Sequence, residues 1–149
     1  MSPQKIVPEL YCSDLAQSLS FYTGVCGFRV LYERPENRFA FITNDGAELM
    51  LEQPTDSERM LLAAVPEYPY GRGINLQIEV GDVDDLHERI VASGGRVTLP
   101  LEERWYRVGR NELGNRQFAV MDPDGYLLRF FSKLGARAAP SVAAEDDAA

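Results

Sequence analysis

Ser13-Asp14-Leu15, at the head of a run that closes on Gly27-Phe28, has a counterpart in Gly81-Asp82-Val83, at the head of a run that closes on Gly94-Gly95. Within the first run Leu15, Leu19, Phe21 and Tyr22 recur at helical spacing; within the second, Val83, Leu86, Ile90 and Val91 do the same. An aspartate side chain accepts hydrogen bonds from the first free N–H groups of a helix, and a glycine supplies the left-handed exit at its end. From aspartate to closing glycine is thirteen residues in both copies, 14 to 27 and 82 to 95. The chain therefore contains two amphipathic helices with matched ends, and an internal repeat organises it.

Working outward, an alternating strand precedes each helix, over residues 6–12 and 74–80, and three strand-like runs follow it. In the first copy these are residues 28–33, 38–43 and 47–52, the last two joined by Asn44-Asp45-Gly46, residues that tolerate positive φ and so favour a hairpin. In the second they are residues 96–99, 117–121 and 126–131, with Asp122-Pro123-Asp124-Gly125 as the equivalent turn. The expected organisation is a βαβββ module over residues 1–52, a linker loop over 53–72, a second module over 73–133 and a disordered acidic tail over 134–149 carrying Glu145, Asp146 and Asp147. The copies differ mainly by an insertion over residues 100–114, expected as a loop.

Composition narrows the class. The 149 residues are 45% apolar, enough for one shared core, and no run approaches the length of a membrane span. The first residues lead into a strand rather than a secretory signal, so a cytoplasmic protein without membrane contact is expected. A net charge of −8 repels a phosphate backbone and argues against nucleic acid. Cys12 and Cys26 lack metal-site spacing and read as buried free thiols.

The Ser13-Asp14-Leu15, Phe21-Tyr22 and Gly27-Phe28 elements, with Phe118-Ala119-Val120-Met121-Asp122-Pro123-Asp124-Gly125, resemble the vicinal oxygen chelate superfamily. That superfamily includes glyoxalase I, extradiol dioxygenases, fosfomycin-resistance enzymes and bleomycin-resistance proteins. The resemblance covers nearly all of residues 5–133 and implies an α+β fold: two βαβββ modules forming an incomplete eight-stranded barrel, helices outside, with an internal crevice. It also implies a homodimer that exchanges the first strand, hinged at Pro8. Enzymes of the superfamily hold a divalent metal with His and Glu on the first and last strands of each module. By the same resemblance those places fall on Val7, Met50, Asn75 and Arg129, none a usual ligand, so no metal and no cofactor are expected. The chain's one histidine, His87, lies within the second helix pattern and reads as an exposed helical residue. Where bleomycin-resistance proteins commonly carry tryptophan before the penultimate strand, this chain has Leu113.

Strand alternation nominates the crevice residues. If Leu10 and Cys12 face the helix, Glu9 and Tyr11 face the crevice. Glu48, Met50 and Glu52 share that face on the next strand, beside Phe39 and Phe41. Asn75, Gln77 and Glu79 follow from the second module, with Arg129 and Phe131 from its last strand. Trp105, in the insertion, is a candidate lid residue, as are the tyrosines of Pro66-Glu67-Tyr68-Pro69-Tyr70-Gly71. Four glutamates among aromatic rings fit a cationic, partly aromatic small molecule. The expected function is drug sequestration of the bleomycin-resistance kind, without chemistry. The alternative is a metal-independent lyase, isomerase or hydrolase with a crevice glutamate, such as Glu9 or Glu52, as general base.

Overall fold

Both aspartates act as the repeat requires. Asp14 accepts from the Gln17 N–H at 3.2 Å and Asp82 from the Asp85 N–H at 3.0 Å, opening α1 (Leu15–Gly24) and α2 (Val83–Ala92). Gly27 and Gly94 leave the two helices at φ 85° and 80°. The computed structural model describes residues 4–55 and 61–141.

The strands are β1 (Glu9–Tyr11), β2 (Arg29–Arg34), β3 (Phe39–Asn44), β4 (Ala47–Glu52), β5 (Asn75–Glu79), β6 (Arg96–Val108), β7 (Asn111–Met121) and β8 (Leu127–Ala138). They form two four-stranded mixed sheets, ordered β1-β4-β3-β2 and β5-β8-β7-β6. In each sheet the strand before the helix pairs in parallel with the last strand of its module, and the other pairs are antiparallel. This is the expected α+β pair of βαβββ modules, with the sheets not closed into a barrel. Asp45 and Gly46 both take positive φ in the β3–β4 hairpin, as their sequence requires. β1 is shorter than its sequence pattern, though the Pro8 carbonyl still accepts from the Met50 N–H at 2.9 Å.

The helix-facing sides of both sheets merge into one core. Leu10, Cys12, Leu49 and Leu51 from the first sheet pack in one cluster with Ile78, Leu128 and Phe130 from the second and with Tyr22 and Ile90 from the helices. Each large side chain so buried contributes roughly 1.5–3 kcal/mol. Polar contacts tie the modules at one end. The Tyr22 hydroxyl donates to Asp122 at 2.8 Å, the Ser13 hydroxyl to Asp124 at 2.6 Å, and the Tyr126 hydroxyl to the Tyr11 carbonyl at 2.9 Å.

Two expectations are corrected. Residues 100–114 are not a loop, because β6 runs on to Val108 and β7 begins at Asn111, a long hairpin turning at Gly109 (φ 64°). Residues 134–138, expected in the disordered tail, are the end of β8, with Leu113 opposite Ala136 and Gly114 opposite Gly135. The cause is pairing: the glycines and alanines look featureless alone, but their backbone groups complete a third strand beside the hairpin. The acidic residues Glu145, Asp146 and Asp147 lie outside the described residues, as do positions 56–60 of the linker. The linker's end is fixed rather than lid-like. The Tyr70 and Gly71 N–H groups donate to the Asp124 and Gly125 carbonyls at 2.8 and 3.1 Å, and Tyr70 stands edge-on to Tyr126. Among the described residues no helix is long and apolar enough to cross a membrane.

Candidate functional site

The faces turned away from the core carry the side chains that alternation assigns to the crevice, but the two sheets present them differently. On the first sheet Glu9 neighbours Met50, Tyr11 neighbours Glu52, and Phe39 and Phe41 lie opposite Glu52 and Met50. Tyr11, Phe39 and Phe41 are buried. Tyr32 of β2 stacks on Phe41 with centroids 5.0 Å apart, and the Arg34 guanidinium sits 4.0 Å from the centre of the Phe39 ring. The Tyr11 hydroxyl accepts from the Leu61 N–H at 2.9 Å, and burial, helped by the charges of Glu9 and Glu52, lifts its pKa above the ordinary tyrosine value. Glu48 accepts from the Gln4 N–H at 2.7 Å, while Asn75 and Gln77 line an open groove of about 720 Å³ with Glu48 along the β5 edge. This face is a packed aromatic layer edged by glutamates.

The second sheet holds a cleft of about 610 Å³, which opens over β5, β8, β7 and β6. Phe131, Val108, Leu113 and Ala136 give it apolar walls, and Arg129, Gln77 and Tyr106 supply polar groups. These come together because Gln77 lies opposite Arg129 across β5–β8 and Tyr106 lies opposite Leu113 across β6–β7. A polar line crosses the sheet. Arg129 donates through Nη2 to Gln77 Oε1 at 3.2 Å and through Nη1 to the Tyr106 hydroxyl at 3.4 Å. The Gln117 amide donates to the same hydroxyl at 2.7 Å and to Glu102 at 2.8 Å. Gln117 Oε1 and Arg129 Nε are buried with no hydrogen-bond partner. Lys133, also in the lining, lies 3.6 Å from Glu79.

Of the thirteen residues nominated from sequence, Gln77, Arg129 and Phe131 meet in this cleft. Glu79 reaches its edge through Lys133. Glu9, Tyr11, Phe39, Phe41, Glu48, Met50 and Glu52 belong to the other sheet, and Asn75 to the groove beside it. Trp105 points to the opposite side of the hairpin from Tyr106. Its ring covers Gly114, where an added Cβ would sit 2.8 Å from it, and the Arg137 guanidinium lies 4.0 Å from its centre. The reading missed Tyr106, Val108, Leu113 and Lys133 as lining. The alternation Tyr106-Arg107-Val108 was the available signal, hidden by treating the segment as a loop.

The chemistry of these groups is limited. Val7 has no donor atom and Arg129 carries a fixed positive charge, so Val7, Met50, Asn75 and Arg129 do not fit a divalent metal. Among the described residues no group of three or more His, Cys, Asp and Glu side chains could hold one. His87 is half-buried rather than exposed, edge-on to Phe118 at 5.0 Å. Burial pushes the Cys12 and Cys26 thiols up to about 12, which withholds the nucleophilic thiolate. In the native protein neither thiol is expected to react with a chromogenic disulfide reagent within minutes at neutral pH. Both should react promptly in urea, and fast native labelling of either would contradict their burial.

The sequence profile of the Glyoxalase/Bleomycin resistance protein/Dioxygenase superfamily matches residues 6–130. The chain is 24% identical over 136 residues to a bleomycin resistance protein of Geobacillus stearothermophilus, covering 86% of this chain and 96% of that one. It is 32% identical over 127 residues to a lactoylglutathione lyase of Haemophilus influenzae, covering 81% of this chain and 86% of that one. Among solved structures, TioX from Micromonospora sp. ML1 superposes with a TM-score of 0.66 at 24% identity, covering 88% of this chain and 100% of that one.

Proposed function

The chain belongs to the glyoxalase/bleomycin resistance protein/dioxygenase superfamily, and from that premise we propose that it is a metal-free binding protein that sequesters a flat, partly aromatic small molecule. The observation that carries this reading is the cleft over the second sheet, with apolar walls and an arginine at the position where the resemblance would put a metal ligand. Its role is then protective: it holds a toxic compound stoichiometrically, as a drug-resistance protein does. The similarity to bleomycin resistance proteins supports this.

A cationic ligand was inferred from Glu9, Glu48, Glu52 and Glu79, but the first three lie on the other sheet and Glu79 is engaged by Lys133. The lining of this cleft favours a flat, aromatic body over a cationic one. We further propose a homodimer, for which the exposed Leu31 and Tyr32 on the edge strand β2 offer apolar contact. Exchange of the three-residue β1, hinged at Pro8, is a compatible form of it.

Titration calorimetry with a panel of planar aromatic natural products, bleomycin included, tests the reading. Saturable heat with one site per chain is expected. Phe131→Ala should weaken binding about tenfold or more, through loss of a ring stacked in the cleft. No saturable heat across the panel, together with no protection on expression, would sink the proposal. The 32% relative favours a second reading, a lyase or isomerase using Glu9 or Glu52 as base. Turnover of a hemithioacetal that is lost in Glu9→Gln or Glu52→Gln would establish it instead.

A further inference from the structure

We propose that the ligand carries an anionic group, a carboxylate, sulfonate or phosphate ester, and that Arg129 is the residue that reads it. This rests on the reading of the cleft as a small-molecule site and names the chemical class that site takes.

Arg129 is half-buried in the cleft wall, yet it donates only to neutral acceptors, Gln77 at 3.2 Å and Tyr106 at 3.4 Å. Its Nε is buried and has no partner. Arg72, Arg96 and Arg107 also donate to neutral oxygens but are exposed, whereas Arg116, half-buried like Arg129, is paired with Asp84 at 2.8 Å. Among the described residues Arg129 forms no ion pair, and the two carboxylates beside the cleft are committed elsewhere, Glu102 to Gln117 and Glu79 to Lys133. A partly desolvated guanidinium held only by neutral groups has lost hydration without gaining a counter-charge, so an arriving anion supplies what the fold does not.

A second donor stands beside it. The Tyr106 hydroxyl accepts from both Gln117 and Arg129, which leaves its own proton to give to an acceptor in the cleft. The apolar side chains of Phe131, Leu113 and Val108 offer contact to the body of an aromatic acid that a small inorganic ion would leave unused.

The test uses two fluorescent probes that share one skeleton, anilinonaphthalene sulfonate and the neutral N-phenylnaphthylamine, titrated into the full-length protein. The wild type should bind the sulfonate at one site per chain, about tenfold or more tighter than the neutral probe, as a charge-assisted hydrogen bond allows. Arg129→Gln should abolish that preference while leaving the neutral probe's affinity within about twofold, because uncharged contacts are untouched. Arg129→Lys should keep part of it, and Arg29→Gln, an exposed cation on the other sheet, should keep it whole. Phe131→Ala should weaken both probes, which places them in the cleft, and thermal melts of each variant establish that it is folded. Equal affinities in the wild type, or a preference that survives Arg129→Gln or disappears with Arg29→Gln, would overturn the inference while the cleft remains a binding site. Failure of both probes to saturate would overturn the binding reading and this inference together.

Discussion

Gly125→Ala is expected to lower the free energy of unfolding by about 3 kcal/mol or more, a large fraction of a domain's total stability. Two costs add at this position. Gly125 has φ 85°, where an alanine is strained by about 1–2 kcal/mol. An added Cβ would also lie 2.6 Å from Pro69 Cα, a backbone atom that cannot rotate away. Gly71, across the same contact, accepts the same restriction: a Cβ there would meet Tyr126 Cα at 2.8 Å. Relief requires parting the linker from the β7–β8 turn, which breaks the Tyr70 and Gly71 hydrogen bonds to that turn. Gly135→Ala is the control. Its φ of 110° is equally left-handed but no atom lies within 4 Å of the new Cβ, so only the conformational cost should appear. Urea unfolding of the three proteins reads both values. Equal losses for Gly125→Ala and Gly135→Ala would mean that the linker does not bear on the turn as described.

That contact illustrates which parts of the molecule were legible in sequence. Asp122-Pro123-Asp124-Gly125 announces a turn by its residue types alone, and the matched Asp-to-Gly spacing announces both helices, because capping and left-handed exit are local chemistry. Nothing local says that Pro69, more than fifty residues earlier, will press on Gly125. The strand extension of β6 to β8 was missed for a related reason. Residues such as Gly114, Gly135 and Ala136 have weak strand preference, and their pairing depends on neighbours distant in sequence.

The candidate site shows the same division. Alternation assigns Glu9, Tyr11, Met50, Gln77, Arg129 and Phe131 to one crevice, whereas the structure sets the first three on the face of one sheet and the last three on the face of the other. It could not show that the aromatic residues of the first face are roofed by Tyr32, or that the second face is lengthened into a cleft by Tyr106, Val108 and Leu113. Side-chain parity is a property of one strand, whereas a cavity is a property of how several strands end.

Asp122→Ala is expected to be about as damaging as Gly125→Ala, by a different route. The carboxylate is 3% exposed, and it accepts from the Tyr22 hydroxyl at 2.8 Å and from the Asp124 and Tyr126 N–H groups, each at 2.9 Å. Alanine leaves three donors without an acceptor where the two modules meet, at about 1–3 kcal/mol for each left unsatisfied, so a loss of about 3–5 kcal/mol is expected. Asp122→Asn should cost much less. Its amide oxygen keeps both backbone bonds, and its nitrogen donates to the Tyr22 oxygen once that hydroxyl turns away. Burial raises the folded pKa of Asp122 above the ordinary value near 3.9, against the opposing pull of its hydrogen bonds. Between those two values the folded protein holds more protons at this site than the unfolded chain, so its contribution to stability falls as pH rises through the window and is level above it. Stability measured by urea unfolding from about pH 3.5 to about pH 7 should therefore show the wild type losing ground to Asp122→Asn as pH increases. A wild-type advantage that grows with pH would mean that the three hydrogen bonds outweigh desolvation and that the buried carboxylate favours its charged form.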